Sequence, residues 1–218
     1  VREVQVPVGA SQVTAGVYGD AAGTALVLGH GAGGDRRSPF LVRVAEALAA
    51  SSRPVVLYNF PYSEARRKLP DPPQRLEAAC DAVARYARRE LGAARLVLGG
   101  KSMGGRIASQ AAAKGTPADG LVFLGYPLHP PGRPEQLRDR HLPDVAAPML
   151  FLQGTRDAFA RWDLIAAVAE RLGPRATLHR LDDADHSFHV PRGSRRGAAE
   201  VERELVETIL GWLTQAGL

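Results

Sequence analysis

Leu96-Val97-Leu98-Gly99-Gly100-Lys101-Ser102-Met103-Gly104-Gly105-Arg106 decides how the rest of the chain reads. The run Leu96 to Gly100 has the composition of a buried strand, and Arg106 to Lys114 that of a helix. Between them stands the pattern G-x-S-x-G. A serine on so tight a strand-to-helix turn is held in strained backbone geometry, and the residues two before and two after it must be small to avoid collision. Gly100 and Gly104 meet that requirement. The turn lifts the Ser102 hydroxyl clear of the sheet, and the free amides of the following helix, beginning with Met103, aim at any oxyanion formed there. Gly-Lys-Ser also closes the phosphate-binding pattern G-x-x-x-x-G-K-[ST], but the first glycine of that pattern would fall on Arg95.

Outward from this turn, short apolar runs alternate with segments whose apolar residues recur at three and four. This is the pattern of an α/β chain built on a mostly parallel sheet. The alternating segments Val4 to Val8 and Gln12 to Tyr18, broken at Gly9-Ala10-Ser11, predict a hairpin. Ala25 to Gly29, Val55 to Phe60, Leu96 to Gly100, Leu121 to Leu124, Met149 to Gln153 and Thr177 to Leu181 predict strands covered on both faces, eight strands with the hairpin. Helical stripes run through Leu76, Cys80, Val83 and Ala87, through Trp162, Ile165, Val168 and Leu172, and through Val201, Leu205, Ile209 and Leu213. A three-layer α/β/α sandwich follows, a single domain over residues 1–218. The Pro-rich stretches Pro61 to Pro73 and Pro127 to Pro148 read as surface excursions above the sheet.

Composition narrows the function classes. The chain has 218 residues, 45% apolar and 23% charged, enough to bury one large core. A net charge of +5 raises the question of an acidic partner, yet Arg66-Arg67-Lys68, Arg88-Arg89 and Arg192 to Arg196 are short, scattered and not interleaved with aromatics. No nucleic-acid partner is expected. One cysteine, Cys80, allows neither an intrachain disulfide nor a cysteine-built metal site. No stretch approaches the ~20 apolar residues of a membrane span, and Val1 to Val6 alternates like a strand, so the expected location is cytoplasmic.

Gly29-His30-Gly31-Ala32-Gly33-Gly34 fits both a dinucleotide-binding G-x-G-x-x-G and an oxyanion loop. The dinucleotide reading needs an acid near the end of the next strand, which instead closes Leu57-Tyr58-Asn59-Phe60. As an oxyanion loop the segment offers the N–H of Ala32 or of Gly33 beside that of Met103. Serine needs a base within hydrogen-bond reach. Of the six histidines, His186 in Asp185-His186-Ser187-Phe188 lies just past the last strand. His179 is inside that strand, His30 in the glycine loop, His129 and His141 in the Pro-rich excursion, and His189 is its nearest rival. Asp157, in Gly154-Thr155-Arg156-Asp157 after the seventh strand, is the matching acid, although an aspartate there also suits a helix N-cap. Ser102, Asp157 and His186 then follow in the chain order expected for this turn, with Asp182, Asp183 and Asp185 as fallback acids.

These motifs resemble the α/β-hydrolase superfamily over nearly the whole chain. Asn59-Phe60-Pro61-Tyr62, Gly125-Tyr126-Pro127-Leu128-His129-Pro130 and Gly154-Thr155-Arg156-Asp157 resemble a narrower branch of dienelactone-hydrolase-like proteins, with a testis-expressed hydrolase-like protein and a subunit of the NSL histone-acetylation complex. True dienelactone hydrolases carry cysteine where this chain has Ser102, so their substrate does not transfer. The resemblance implies a serine hydrolase of small-molecule esters, with thioesters or amides as variants. It would work through an acyl-enzyme on Ser102, without metal or organic cofactor and without a large cap domain. Fold order places Phe60, Tyr62, Tyr126 and His129 around the pocket above Ser102, with His30 and Lys101 beside it. The competing reading is a silent scaffold that keeps the fold and binds a protein partner, since fold alone does not establish activity. Against it, Ser102, Asp157, His186 and the small elbow residues are all present.

Overall fold

The computed structural model describes residues 1–20 and 23–218. Among them an eight-stranded sheet runs in the order β1-β2-β4-β3-β5-β6-β7-β8. The strands are β1 (Arg2–Val8), β2 (Ser11–Tyr18), β3 (Gly23–Gly29), β4 (Val55–Tyr58), β5 (Ala93–Lys101), β6 (Gly120–Leu124), β7 (Met149–Gly154) and β8 (Ala176–Leu181). The helices are α1 (Pro39–Ala50), α2 (Pro61–Glu64), α3 (Pro73–Glu90), α4 (Met103–Ala113), α5 (Trp162–Leu172) and α6 (Ala198–Gln215). β1 pairs antiparallel with β2 through the predicted hairpin, and β2 pairs antiparallel with β4. Every pairing from β4 onward is parallel.

The strand period of two sorts the core into layers. Ala25, Val27, Leu96 and Leu98 pack on one face against Leu76, Cys80 and Val83 of α3 and Ile107, Ala108 and Ala111 of α4. On the same face Leu121, Phe123, Met149 and Phe151 meet Ile165 and Val168 of α5. The intervening residues Leu26, Leu28, Val97, Val122 and Leu150 turn to the other face, against Leu41, Val44 and Leu48 of α1 and Val201, Leu205 and Ile209 of α6. The result is a three-layer α/β/α sandwich.

Three local expectations are corrected. β8 is not covered on both faces: only Leu181 of its six residues is buried. It is the last strand of the sheet, and its Thr177, His179 and Arg180 suit an edge that must not recruit another strand. β4 stops at Tyr58 because Pro61, which has no N–H to donate, opens the one-turn helix α2 with the extended Phe60 before it. α4 starts at Met103, directly after Ser102 and three residues before the predicted run.

The Pro-rich excursions are also more deeply seated than expected. Pro61, Tyr62 and Asp71 are buried in the first, and Leu128, Leu142 and Val145 in the second. Residues 125–148 are all that separates β6 from β7, so no cap domain is inserted there. Among the described residues no helix is long and apolar enough to cross a membrane.

Candidate active site

Ser102 sits between β5 and α4 with φ 51° and ψ −114°, a conformation that side-chain-bearing residues rarely adopt. Two glycines make it possible. Gly100, at φ +141°, leaves no room for a side chain, since a Cβ there would stand 2.1 Å from the carbonyl oxygen of Gly29. Gly104 meets the same oxygen from the first turn of α4, also at 2.1 Å. The serine turn is therefore wedged against the end of β3, where the glycine loop begins.

The loop after β8 brings His186 over this turn. His186 Nε2 lies 2.8 Å from Ser102 Oγ, and its Nδ1 lies 2.7 Å from Asp157 Oδ2. A carboxylate accepts only, so Nδ1 carries the proton and Nε2 is left to accept from the Ser102 hydroxyl. The Asp157 side chain is 1% exposed and that of His186 18%, so the pair is shielded, and Ser102 is half-buried. The same carboxylate also does what a turn cap would do, its Oδ1 accepting the Phe159 N–H at 2.7 Å.

Two residues absent from the sequence reading complete this arrangement. Gln153, the last polar position of an otherwise apolar β7, is wholly buried, and its Nε2 donates to Asp157 Oδ2 at 2.5 Å. Its Oε1 accepts the Tyr126 N–H at 2.9 Å, so one amide holds both the acid and the loop after β6. An amide inside an apolar strand was the available signal, because a buried polar group needs partners. Phe159 lies with its ring 4.3 Å from the His186 ring, tilted by 32°. No local sequence pattern announces that contact.

On the other side of Ser102, the glycine loop is held by His30 and Tyr62. His30 is fully buried, and its Nε2 accepts the Phe60 N–H at 3.2 Å. Its Nδ1–H therefore donates to the Gly31 carbonyl at 2.8 Å. Burial pushes the His30 pKa below the ordinary histidine value, which keeps this neutral tautomer. The Tyr62 hydroxyl also reaches the Gly31 carbonyl, at 3.4 Å, and accepts the Gly33 N–H at 3.1 Å. With the Gly31 carbonyl pinned on one side, the trans peptide turns the Ala32 N–H to the other. Of the two candidate donors, Gly33 is thus occupied. Among the described residues nothing accepts from Ala32 N–H or Met103 N–H.

Five of the six expected pocket residues are buried and Lys101 is half-buried. His30, Phe60, Tyr62 and Tyr126 are 0% exposed and His129 2%. Tyr126 Oη donates to the Arg138 carbonyl at 2.7 Å, and burial pushes its pKa up. His129 Nε2 accepts the Arg161 N–H at 2.9 Å. Lys101 turns its ammonium under the His186 loop, donating to the His186 carbonyl at 2.5 Å. His189 is exposed and pairs only loosely with Asp185, at 3.9 Å. Asn59, which stands where a ribose-binding acid was sought, takes the Arg36 N–H and donates to Glu64.

The sheet order, the elbow between β5 and α4 and the loops at the carboxyl ends of the parallel strands define an α/β-hydrolase fold. The chain belongs to that family: the family described as an alpha/beta hydrolase domain matches residues 22–214. Solved structures agree on the architecture. A serine hydrolase without lid from Xanthomonas campestris is 23% identical, with 97% of this chain and 94% of that chain covered at a TM-score of 0.75. A dienelactone hydrolase from Anabaena variabilis is 21% identical, covering 98% and 97%, also at 0.75. An Agrobacterium tumefaciens putative α/β hydrolase reaches a TM-score of 0.79 at 15% identity, covering 98% and 97%.

Proposed function

We propose that this chain hydrolyses carboxylic esters, or thioesters, of small or accessible acyl groups through a covalent acyl-enzyme. The observation that carries the reading is the placement of His186, 2.8 Å from Ser102 Oγ and 2.7 Å from Asp157 Oδ2, by three separate loops at one end of the sheet. In the first step Ser102 Oγ attacks the ester carbonyl while His186 Nε2 takes its proton. Asp157 holds the imidazole tautomer and stabilises the imidazolium. The negative carbonyl oxygen is received by the N–H groups of Met103 and Ala32, each worth about 3 kcal/mol in such a position. Collapse breaks the C–O bond, and the alcohol leaves with the proton from His186. Water, deprotonated by the same imidazole, then attacks the acyl carbon and releases the acid, returning the proton to Ser102.

The short β6–β7 connection supports the preference for accessible acyl groups, because no cap domain is inserted between those two strands. A single buried cysteine suits the reducing cytoplasm. The test is intact-mass analysis after exposure to a fluorophosphonate, with Ser102→Ala and His186→Ala variants alongside. One adduct on the native protein, lost in both variants, is the expected result. Folded native protein that takes no adduct would sink the proposal and favour a scaffold that binds a protein partner.

A further inference from the structure

We propose that Lys101 is a positioning residue that ties the serine turn to the loop carrying the base and sets the charge behind the triad, a role that rests on the hydrolase reading above. Lys101 ends β5, paired with Leu124 of β6, and its backbone leads straight into Ser102. Its side chain leaves in another direction, to the His186 carbonyl at 2.5 Å. The nucleophile and the base, 84 residues apart, are thereby joined by a second link besides the Ser102–His186 hydrogen bond itself.

The surroundings show that this ammonium occupies a shaped position. A Cβ on Gly125 would stand 3.2 Å from Lys101 Nζ, 3.4 Å from the His186 carbonyl oxygen and 3.6 Å from Asp157 Oδ2. The three polar groups converge on one spot, kept open by a glycine at φ +70°. The ring of Phe188 covers the ammonium at 5.2 Å. Asp157, from the end of β7, and Asp185, from the loop after β8, are the carboxylates that act on it. Neither closes an ion pair within the usual contact distance among the described residues. A half-buried ammonium with a carbonyl partner, an aromatic ring and two carboxylates around it occupies a built position, which a mere surface contact would not require.

The sign of the electrostatic effect follows from this placement. Removing the cation beside Asp157 leaves that carboxylate free to favour charge on the imidazole it holds, so loss of the lysine should move the working pH range of the site upward. Burial lowers Lys101 itself to about 8, so it is predominantly charged at neutral pH.

Two measurements on native protein, Lys101→Met and Lys101→Arg test this. The first is the pH profile of the fluorophosphonate labelling rate. Lys101→Met should label about tenfold more slowly at pH 7, through a looser base. Its acid limb should move up by about half a pH unit, and Lys101→Arg should restore the limb. A purely structural role would lower the melting temperature and leave the limb in place. The second is the NMR titration of the His186 ring, which needs no activity. Its midpoint should rise in Lys101→Met relative to native protein and not in Lys101→Arg. If the native protein does not label but the ring titration responds as stated, the hydrolase reading fails and the charge coupling stands. Limb and ring titration both unchanged in Lys101→Met would overturn the inference. Should that variant not fold, Lys101→Gln takes its place in both measurements, and an unchanged limb and ring titration there would be equally decisive.

Discussion

Gly104, in the first turn of α4, packs so closely on Gly29 at the end of β3 that a Cβ on it would stand 2.1 Å from the Gly29 carbonyl oxygen. Backbone is on both sides of the contact, so neither partner can swing away. Gly104→Ala should lose about 3 kcal/mol in urea denaturation and abolish fluorophosphonate labelling, because the wedge also sets the Ser102 turn. Gly211 in α6 is the control: nothing lies within 4 Å of its Cβ position. Gly211→Ala should gain about 0.5–1 kcal/mol and label normally. Equal stability of the two variants would show that the Gly29 contact is not tight.

Tyr62 carries a second prediction. Its hydroxyl takes the Gly33 N–H and reaches the carbonyl of Gly31, whose peptide carries the Ala32 N–H proposed as an oxyanion donor. Tyr62→Phe keeps the ring packing against His30 and Phe60 while removing both bonds. The labelling rate should fall about tenfold, with a small change in melting temperature, since a misdirected oxyanion donor costs more in rate than in stability. An unchanged rate would mean that His30 alone holds the loop.

Stability should decline on mild acidification. Burial lowers the pKa of His30, and of His141, whose Nε2 lies 2.7 Å from Ser109 Oγ. Both folded-state values lie below the unfolded one of about 6.5, so the unfolded chain binds more protons as pH falls. Their contribution is fully present above pH ~6.5 and is lost below it, down to the folded values, at up to about 1.4 kcal/mol per pH unit for each group. Urea midpoints at pH 7.5, 6.5 and 5.5 should be nearly flat over the first interval and fall over the second. His141→Gln should soften that fall; an identical slope would remove His141 from the account.

Cys80 should be silent in the native state. It lies wholly buried on the inner face of α3, and burial pushes its thiol up to about 12. A thiolate-selective disulfide reagent at pH 8 should leave it untouched in native protein and react at once in denaturant. Rapid native reaction would reveal local opening of α3.

The sequence by itself determined the strands, the helices α3, α4, α5 and α6, and the order Ser102, Asp157, His186, while α1 and α2 went unread. Those signals are local: period-two and period-3.6 apolarity, and glycines that only a particular turn requires. It overstated the burial of β8, because the run Thr177 to Leu181 does not disclose that this strand forms the edge of the sheet among the described residues. Tertiary structure alone decided that Gly33 N–H is occupied and Ala32 N–H is not, that Gln153 clamps Asp157, and that Phe159 lies against His186. It also sent the Lys101 ammonium to the His186 carbonyl and buried Phe60, Tyr62, Tyr126 and His129. Each of these depends on where a side chain points once segments distant in sequence have packed together. A residue's order along the sheet places its backbone, but only its neighbours in space choose its rotamer and its partner.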